Sequence, residues 1–178
     1  MEIKKLKEID RDVIEGFGKN GYDTDKIFQV IATSNANRFV FEINEIDRSY
    51  SKCWLTEEDE IEDLNEIISQ GHSFAAYREN LIIGWIICSF REWNNSFYVE
   101  NILIAENFRN KKIGEALMEA AKNEARKINC RLIELETQNT NYVAMKFYLK
   151  QGFMISGLNL KLYNETDECA IYMSLDLL

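Results

Sequence analysis

The 178-residue chain has no proline, one histidine and four cysteines. Without proline it lacks rigid, preset turns, an absence that points to no function. His72 stands alone, and Cys53, Cys88, Cys130 and Cys169 are widely spaced. No zinc-ligand pattern results, and no metal is expected. Cys88 and Cys130 fall in or beside apolar strands, where a reduced, buried thiol is the ordinary outcome. Long apolar runs are also missing. The longest, Leu81 to Cys88, is far too short to span a bilayer, so no membrane partner is expected. The opening MEIKKLKEIDRD is charged and lacks the apolar centre of a secretory leader, and a cytoplasmic location is expected. Basic residues are outnumbered, 21 against 30, for a net charge of -9. Nucleic acid requires clustered Lys and Arg, so it is not an expected partner. An acidic surface steers cationic ligands, although plain solubility accounts for it equally well.

What is present is ordinary for a globular protein: 46% hydrophobic and 29% charged residues. The length predicts a single domain over residues 1–178 with a real core. Ile3, Leu6, Ile9 and Val13 are spaced as on a helix, and Gly16, Gly18 and Gly21 break it. Strands are expected over Ile27–Ala32 and Arg38–Ile43, with a turn at Ser34–Asn37 between them. Thr56 is placed to cap a helix, with Asp59 three residues on and Gly71 at its end. Ser73–Tyr77 and Leu81–Phe90 read as an antiparallel pair turning at Arg78-Glu79-Asn80. Phe97–Ile104 is the next strand, Lys112–Ile128 a helix, Arg131–Glu136 a strand, and Asn141–Gln151 a helix closed by Gly152. Phe153–Tyr163 and Cys169–Leu175 are the last strands. The crossover helix makes Phe97–Ile104 and Arg131–Glu136 parallel. The expected class is therefore α/β: a mixed, mostly antiparallel sheet with a central parallel strand pair, flanked by helices.

The most informative stretch runs from Glu100 to Phe153. An apolar strand end (Ile102, Leu103, Ile104) enters a cationic turn, Arg109-Asn110-Lys111-Lys112-Ile113-Gly114, and a helix starts there. Unpaired amides, the positive end of a helix dipole and basic side chains then face one point, which suits a pyrophosphate. The competing reading is a solvated cationic turn. The run Glu57-Glu58-Asp59-Glu60 is better read as acids at a helix start than as a cation trap. Trp54 and Trp93 could wall a cationic ligand or simply pack in the core.

These residues resemble the GNAT family of N-acetyltransferases. The family's turn signature, Gln/Arg-x-x-Gly-x-Gly/Ala, is matched by Arg109 and Gly114, with Lys112 where glycine is usual; Asn110 also replaces a frequent glycine. A second signature, Asn-x-x-Ala-x-x-Phe-Tyr-x-x-x-Gly-Phe, is matched in full by Asn141, Ala144, Phe147, Tyr148, Gly152 and Phe153. Three further segments are similar to streptothricin acetyltransferases, which acetylate an amine of a cationic antibiotic: Arg91–Asn95, Leu135–Gln138, and Leu162-Tyr163.

The resemblance implies an acetyl-CoA-binding core at about residues 97–153. Ile102, Leu103 and Ile104 would pair with pantetheine. Arg109, Asn110, Lys111, Lys112, Ile113, Gly114, Glu115 and Ala116 would hold the pyrophosphate. Asn141 would hold pantetheine or CoA, or act only as a helix cap. Tyr148 would hydrogen-bond the departing thiolate as a catalytic group. A free alkyl amine is almost wholly protonated at neutral pH, so a carboxylate must attract the ammonium and relay its proton. Glu100 is the candidate, and strand alternation puts it on one face with Ile102 and Ile104; an edge salt bridge is the alternative. The acceptor implied is a small cationic amine, with streptothricin foremost, and the protein a monomer or homodimer. Polyamine or ribosomal-protein acetylation, a CoA-binding module without turnover, and a structural protein remain open.

Overall fold

The computed structural model describes residues 1–164 and 167–177. Among them are nine strands and four α-helices. Contacts gather them into two compact units of interleaved sequence. The first holds Met1–Asn20, Cys53–Leu135 and Leu175–Leu178, and the second holds Gly21–Lys52 and Glu136–Ser174.

In the first unit, strand β1 (Glu2–Lys5) is followed by helix α1 (Arg11–Gly16), capped by the Asp10 carboxylate on the Val13 amide at 2.8 Å. Helix α2 (Glu58–Ser69) leads to β4 (Phe74–Arg78), β5 (Leu81–Arg91), β6 (Ser96–Ile104), helix α3 (Ile113–Lys127) and β7 (Leu132–Gln138). The strand order is β1-β4-β5-β6-β7. β6 and β7 are parallel, from Ser96 opposite Leu132 to Val99 opposite Leu135; the other pairs are antiparallel. β4 and β5 meet at a two-residue turn, Glu79 (φ 52°) and Asn80 (φ 69°). Two positive φ values match the right-handed strand twist. Leu6, Ile9, Ile14, Phe17, Ile61, Ile68, Trp85 and Ile87 form one buried cluster, with Phe17 stacked on Trp85 at 4.5 Å. Helix α3 packs on β4, β5 and β6 and buries Ile113, Leu117, Met118, Ala121 and Ala125. That anchoring fixes where its first turn points.

In the second unit, β2 (Gly21–Asn35) and β3 (Arg38–Cys53) make a long two-stranded ribbon. Helix α4 (Tyr142–Lys150) packs on β2, with Tyr142 stacked on Phe28 at 5.4 Å. The end of β7, β9 (Ala170–Asp176) and β8 (Met154–Asn159) lie in that order.

The fold class holds, and local expectations differ in four places. Ile3 lies in a strand, because β1 pairs with β4, Glu2 opposite Tyr77, and that ladder overrides the helical spacing. Thr56 caps nothing: its hydroxyl accepts from the Asn20 amide at 3.3 Å. Glu57 is the N-cap of α2, and Glu60 accepts its N–H at 3.3 Å. The ribbon runs well past the expected strands, since paired backbones carry it beyond the apolar alternation. β8 stops at Asn159, where its pairing with Ala170 ends.

Candidate active site

β6 is irregular at the residue that matters most. Ile87 of β5 faces Asn101 and Cys88 faces Val99, so Glu100 is an extra residue with no partner. This β-bulge bends the strand and breaks its alternation. Ser89, two residues from Ile87, donates to Glu100 Oε1 at 2.6 Å, and Asn101 accepts from Trp85 Nε1 at 2.8 Å. Glu100 therefore lies on the Ile87 and Asn101 side, while Ile102 pairs with Ile86 on the other. The expected shared face of Glu100, Ile102 and Ile104 is not formed. Arg91 approaches Glu100 at 3.8 Å and lies over the Tyr98 ring at 3.3 Å. The carboxylate thus has a hydroxyl partner and a more distant cation. Pairing with β7 ends at Val99. Among the described residues, the Glu100–Ile104 edge on that side carries no ladder.

The turn after β6 adopts a glycine-like backbone at both positions where glycine is replaced. Asn110 (φ 60°) and Lys112 (φ 62°) are both left-handed. Glycine enters that region without strain and asparagine at small cost, whereas a lysine there costs roughly 1–2 kcal/mol. Lys112 is the N-cap of α3 and gives no side-chain cap bond. Its carbonyl receives the Ala116 amide at 3.1 Å. Helix geometry leaves the Ile113 and Gly114 amides of the first turn without intrahelical acceptors. Lys111 and Lys112 are exposed; Lys111 donates to the Asn107 carbonyl at 2.8 Å. Arg109, expected at the pyrophosphate, also has a structural part. Its guanidinium donates to the Ile104 carbonyl at 3.3 Å and to the Lys19 carbonyl, bracing the turn.

In the second unit, the matched signature resolves largely into local structure. The Asn141 carbonyl oxygen caps α4 by accepting from the Ala144 amide at 3.2 Å, which leaves its NH2 group as a donor. Gly152 (φ 93°) ends the helix in a conformation other side chains resist. Phe153 is buried against the Tyr148 ring at 5.8 Å, and Tyr148 is itself buried.

Sequence reasoning missed the buried polar framework around β7 and its following turn. Asn139 exchanges hydrogen bonds with Phe28 and with Cys169, all between 2.8 and 3.1 Å. Thr140 donates to Glu168 at 2.7 Å and meets the Tyr22 hydroxyl at 2.7 Å. Glu168 is buried and paired with Lys52. Burial pushes the Tyr22 phenol well above its usual range. The only signal available was the density of polar residues from Glu136 to Asn141 between two apolar elements.

Two clefts, of about 560 and 350 Å³, lie beside α1 and hold none of the residues expected to bind acetyl-CoA or to catalyse. Trp54 lines the smaller one, and Trp93 is 83% exposed; neither is a core residue.

The sequence profile of the Acetyltransferase (GNAT) family matches residues 40–153. Streptothricin acetyltransferase A of Bacillus subtilis (strain 168) is 31% identical over 131 residues, covering 71% of this chain and 75% of that protein. The crystal structure of nourseothricin acetyltransferase is similar with a TM-score of 0.76 at 25% identity, covering 99% of this chain and 98% of that one. A Bacillus anthracis (strain Ames) protein assigned as a streptothricin acetyltransferase, solved with acetyl coenzyme A, gives 0.73 at 29% identity over 98% of each chain. The chain belongs to the acetyltransferase (GNAT) family. It is an N-acetyltransferase.

Proposed function

We propose that the protein moves an acetyl group from acetyl-CoA to a primary amine of a small cationic acceptor, with streptothricin-like antibiotics as the leading class. The observation that carries the donor half is the first turn of α3. Its two left-handed residues and exposed lysines present amides and positive charge to an anion of diphosphate size. Anionic acetyl-CoA matches that chemistry, and one similar protein was crystallised with it. The ladder-free edge of β6 at Ile102–Ile104 has the hydrogen-bonding groups to take pantetheine as an added strand. The acceptor half rests on relatives named for streptothricin and on the net charge of -9.

In this reading the amine nitrogen attacks the thioester carbonyl, the carbon–sulfur bond breaks, and the amine's proton leaves. Glu100, with its hydroxyl partner Ser89, attracts the ammonium and takes the proton directly or through water. Tyr148 hydrogen-bonds the departing thiolate. No acyl-enzyme is required.

Thiol release from acetyl-CoA in the presence of streptothricin, with a product heavier by one acetyl group, is the expected result. Tyr148→Phe should lower kcat more than it weakens CoA binding. CoA binding without thiol release on streptothricin, polyamines or peptide amines would leave a binding module in place of an enzyme of this specificity.

A further inference from the structure

Two of the segments that resemble streptothricin acetyltransferases lie far apart in sequence, Leu135–Gln138 and Leu162-Tyr163. The fold ties them together. The Tyr163 hydroxyl donates to Glu136 Oε1, and the Gln138 amide donates to the same hydroxyl at 3.0 Å. The chain Gln138 to Tyr163 to Glu136 sets the direction of one carboxylate. Glu136 sits half-buried on β7 between buried Leu135 and Thr137.

Its surroundings are unbalanced. A poorly solvated carboxylate calls for a cation. Among the described residues, no Lys or Arg forms an ion pair with Glu136. The nearby ammonium, Lys52, is paired to Glu168 and lies over the Tyr163 ring at 5.6 Å. Glu168 thus takes the Lys52 ammonium, and the partner that Glu136 does have is the Tyr163 hydroxyl. Burial and the charge of Glu168 push the Glu136 carboxyl above its ordinary value, and the Tyr163 hydrogen bond opposes them.

We propose that Glu136, oriented by Tyr163 and Gln138, receives a positively charged group of the acceptor, an ammonium or guanidinium distinct from the amine that is acetylated. This rests on the reading of the acceptor as a small cationic amine and names a residue that selects it. A seat of this charge attracts a polycation and offers no contact to anionic acetyl-CoA, so it selects the acceptor. Tyr163 and Gln138 are positioning residues; Glu136 makes the contact.

The test is Glu136→Gln, which keeps an oxygen for Tyr163 and removes the charge. KM for a polycationic acceptor such as streptothricin should rise about tenfold or more, while KM for acetyl-CoA stays within about twofold. A monoamine acceptor with no second charge should be insensitive. Tyr163→Phe should give a smaller rise of the same selectivity. In a parallel thermal-shift assay with CoA present, the polycation should stabilise the wild type and not Glu136→Gln. Equal losses for the monoamine and the polycation, or an unchanged acceptor KM, would overturn the assignment while leaving the acetyltransferase reading intact. Wild-type protection by the polycation, lost in the variant, without turnover of any amine would do the reverse. Absence of both protection and turnover in the wild type would remove both.

Discussion

Helices α2 and α3 begin in opposite ways. At α2 the acids Glu57, Asp59 and Glu60 answer the free amides: Glu60 accepts from Glu57 at 3.3 Å and Asp59 from Glu60 at 3.0 Å. That end is closed by its own side chains and complements the dipole. At α3 the leading residues are cationic, two are left-handed, and no side chain caps. Cations there oppose the dipole by roughly 0.3–1 kcal/mol each, and left-handed side chains add strain. Nothing in the helix gains from this arrangement; a bound anion would. One start serves folding, and the other has the make-up of the proposed ligand site.

The contrast can be broken most directly at Lys112. A β-branched residue tolerates a positive φ poorly, so Lys112→Val should weaken acetyl-CoA at least about thirtyfold, or ~2 kcal/mol, by calorimetry. An unchanged affinity would show that the turn is not the anion site. Arg109 sharpens the picture next. Because its guanidinium braces two carbonyls, Arg109→Ala should lower unfolding stability by about 1.5 kcal/mol in denaturant titration. A loss of CoA affinity at unchanged stability would instead put the guanidinium on the diphosphate. Glu60→Ala should cost about 0.5–1 kcal/mol of stability and leave acetyl-CoA affinity alone; any affinity loss would blur the two helix starts.

The smallest effect concerns an acid held by cations rather than amides. Glu45 accepts from Lys26 at 2.9 Å and from Lys146 at 3.4 Å, and the hydrogen bond from Lys26 leads in lowering its carboxyl to about 2. A depressed carboxyl contributes stability that is fully present above its ordinary value of 4.5 and disappears as pH falls toward 2. Carboxyl NMR should place its titration midpoint near 2. Lys26→Met should move that midpoint upward; a midpoint already near 4.5 in the wild type would mean the pair does not persist in water.

Much of the frame is legible in the sequence. Helix α3 declares itself through Ile113, Leu117 and Ala121 at helical spacing. Gly152 and Asn141 mark the two ends of α4. The parallel pair follows from the crossover between β6 and β7. The candidate site was less legible. Glu100 lies off the expected face because a bulge is a property of two strands in register, and one strand's alternation cannot reveal it. The charge and motif position of Arg109 do not reveal that the carbonyl of Lys19, ninety residues earlier in the chain, accepts from its guanidinium. Ile3 left its helical pattern because β4 offered it a ladder.

The amino-acid order by itself determined most of the elements and the cationic turn. Periodicity, caps and glycines act within a few residues, and those are written consecutively. Only the tertiary structure decided which polar side chains meet. The Tyr163–Glu136 contact and the Asn139 bridge join residues more than twenty-five positions apart, where direction and burial depend on packing that no local pattern encodes.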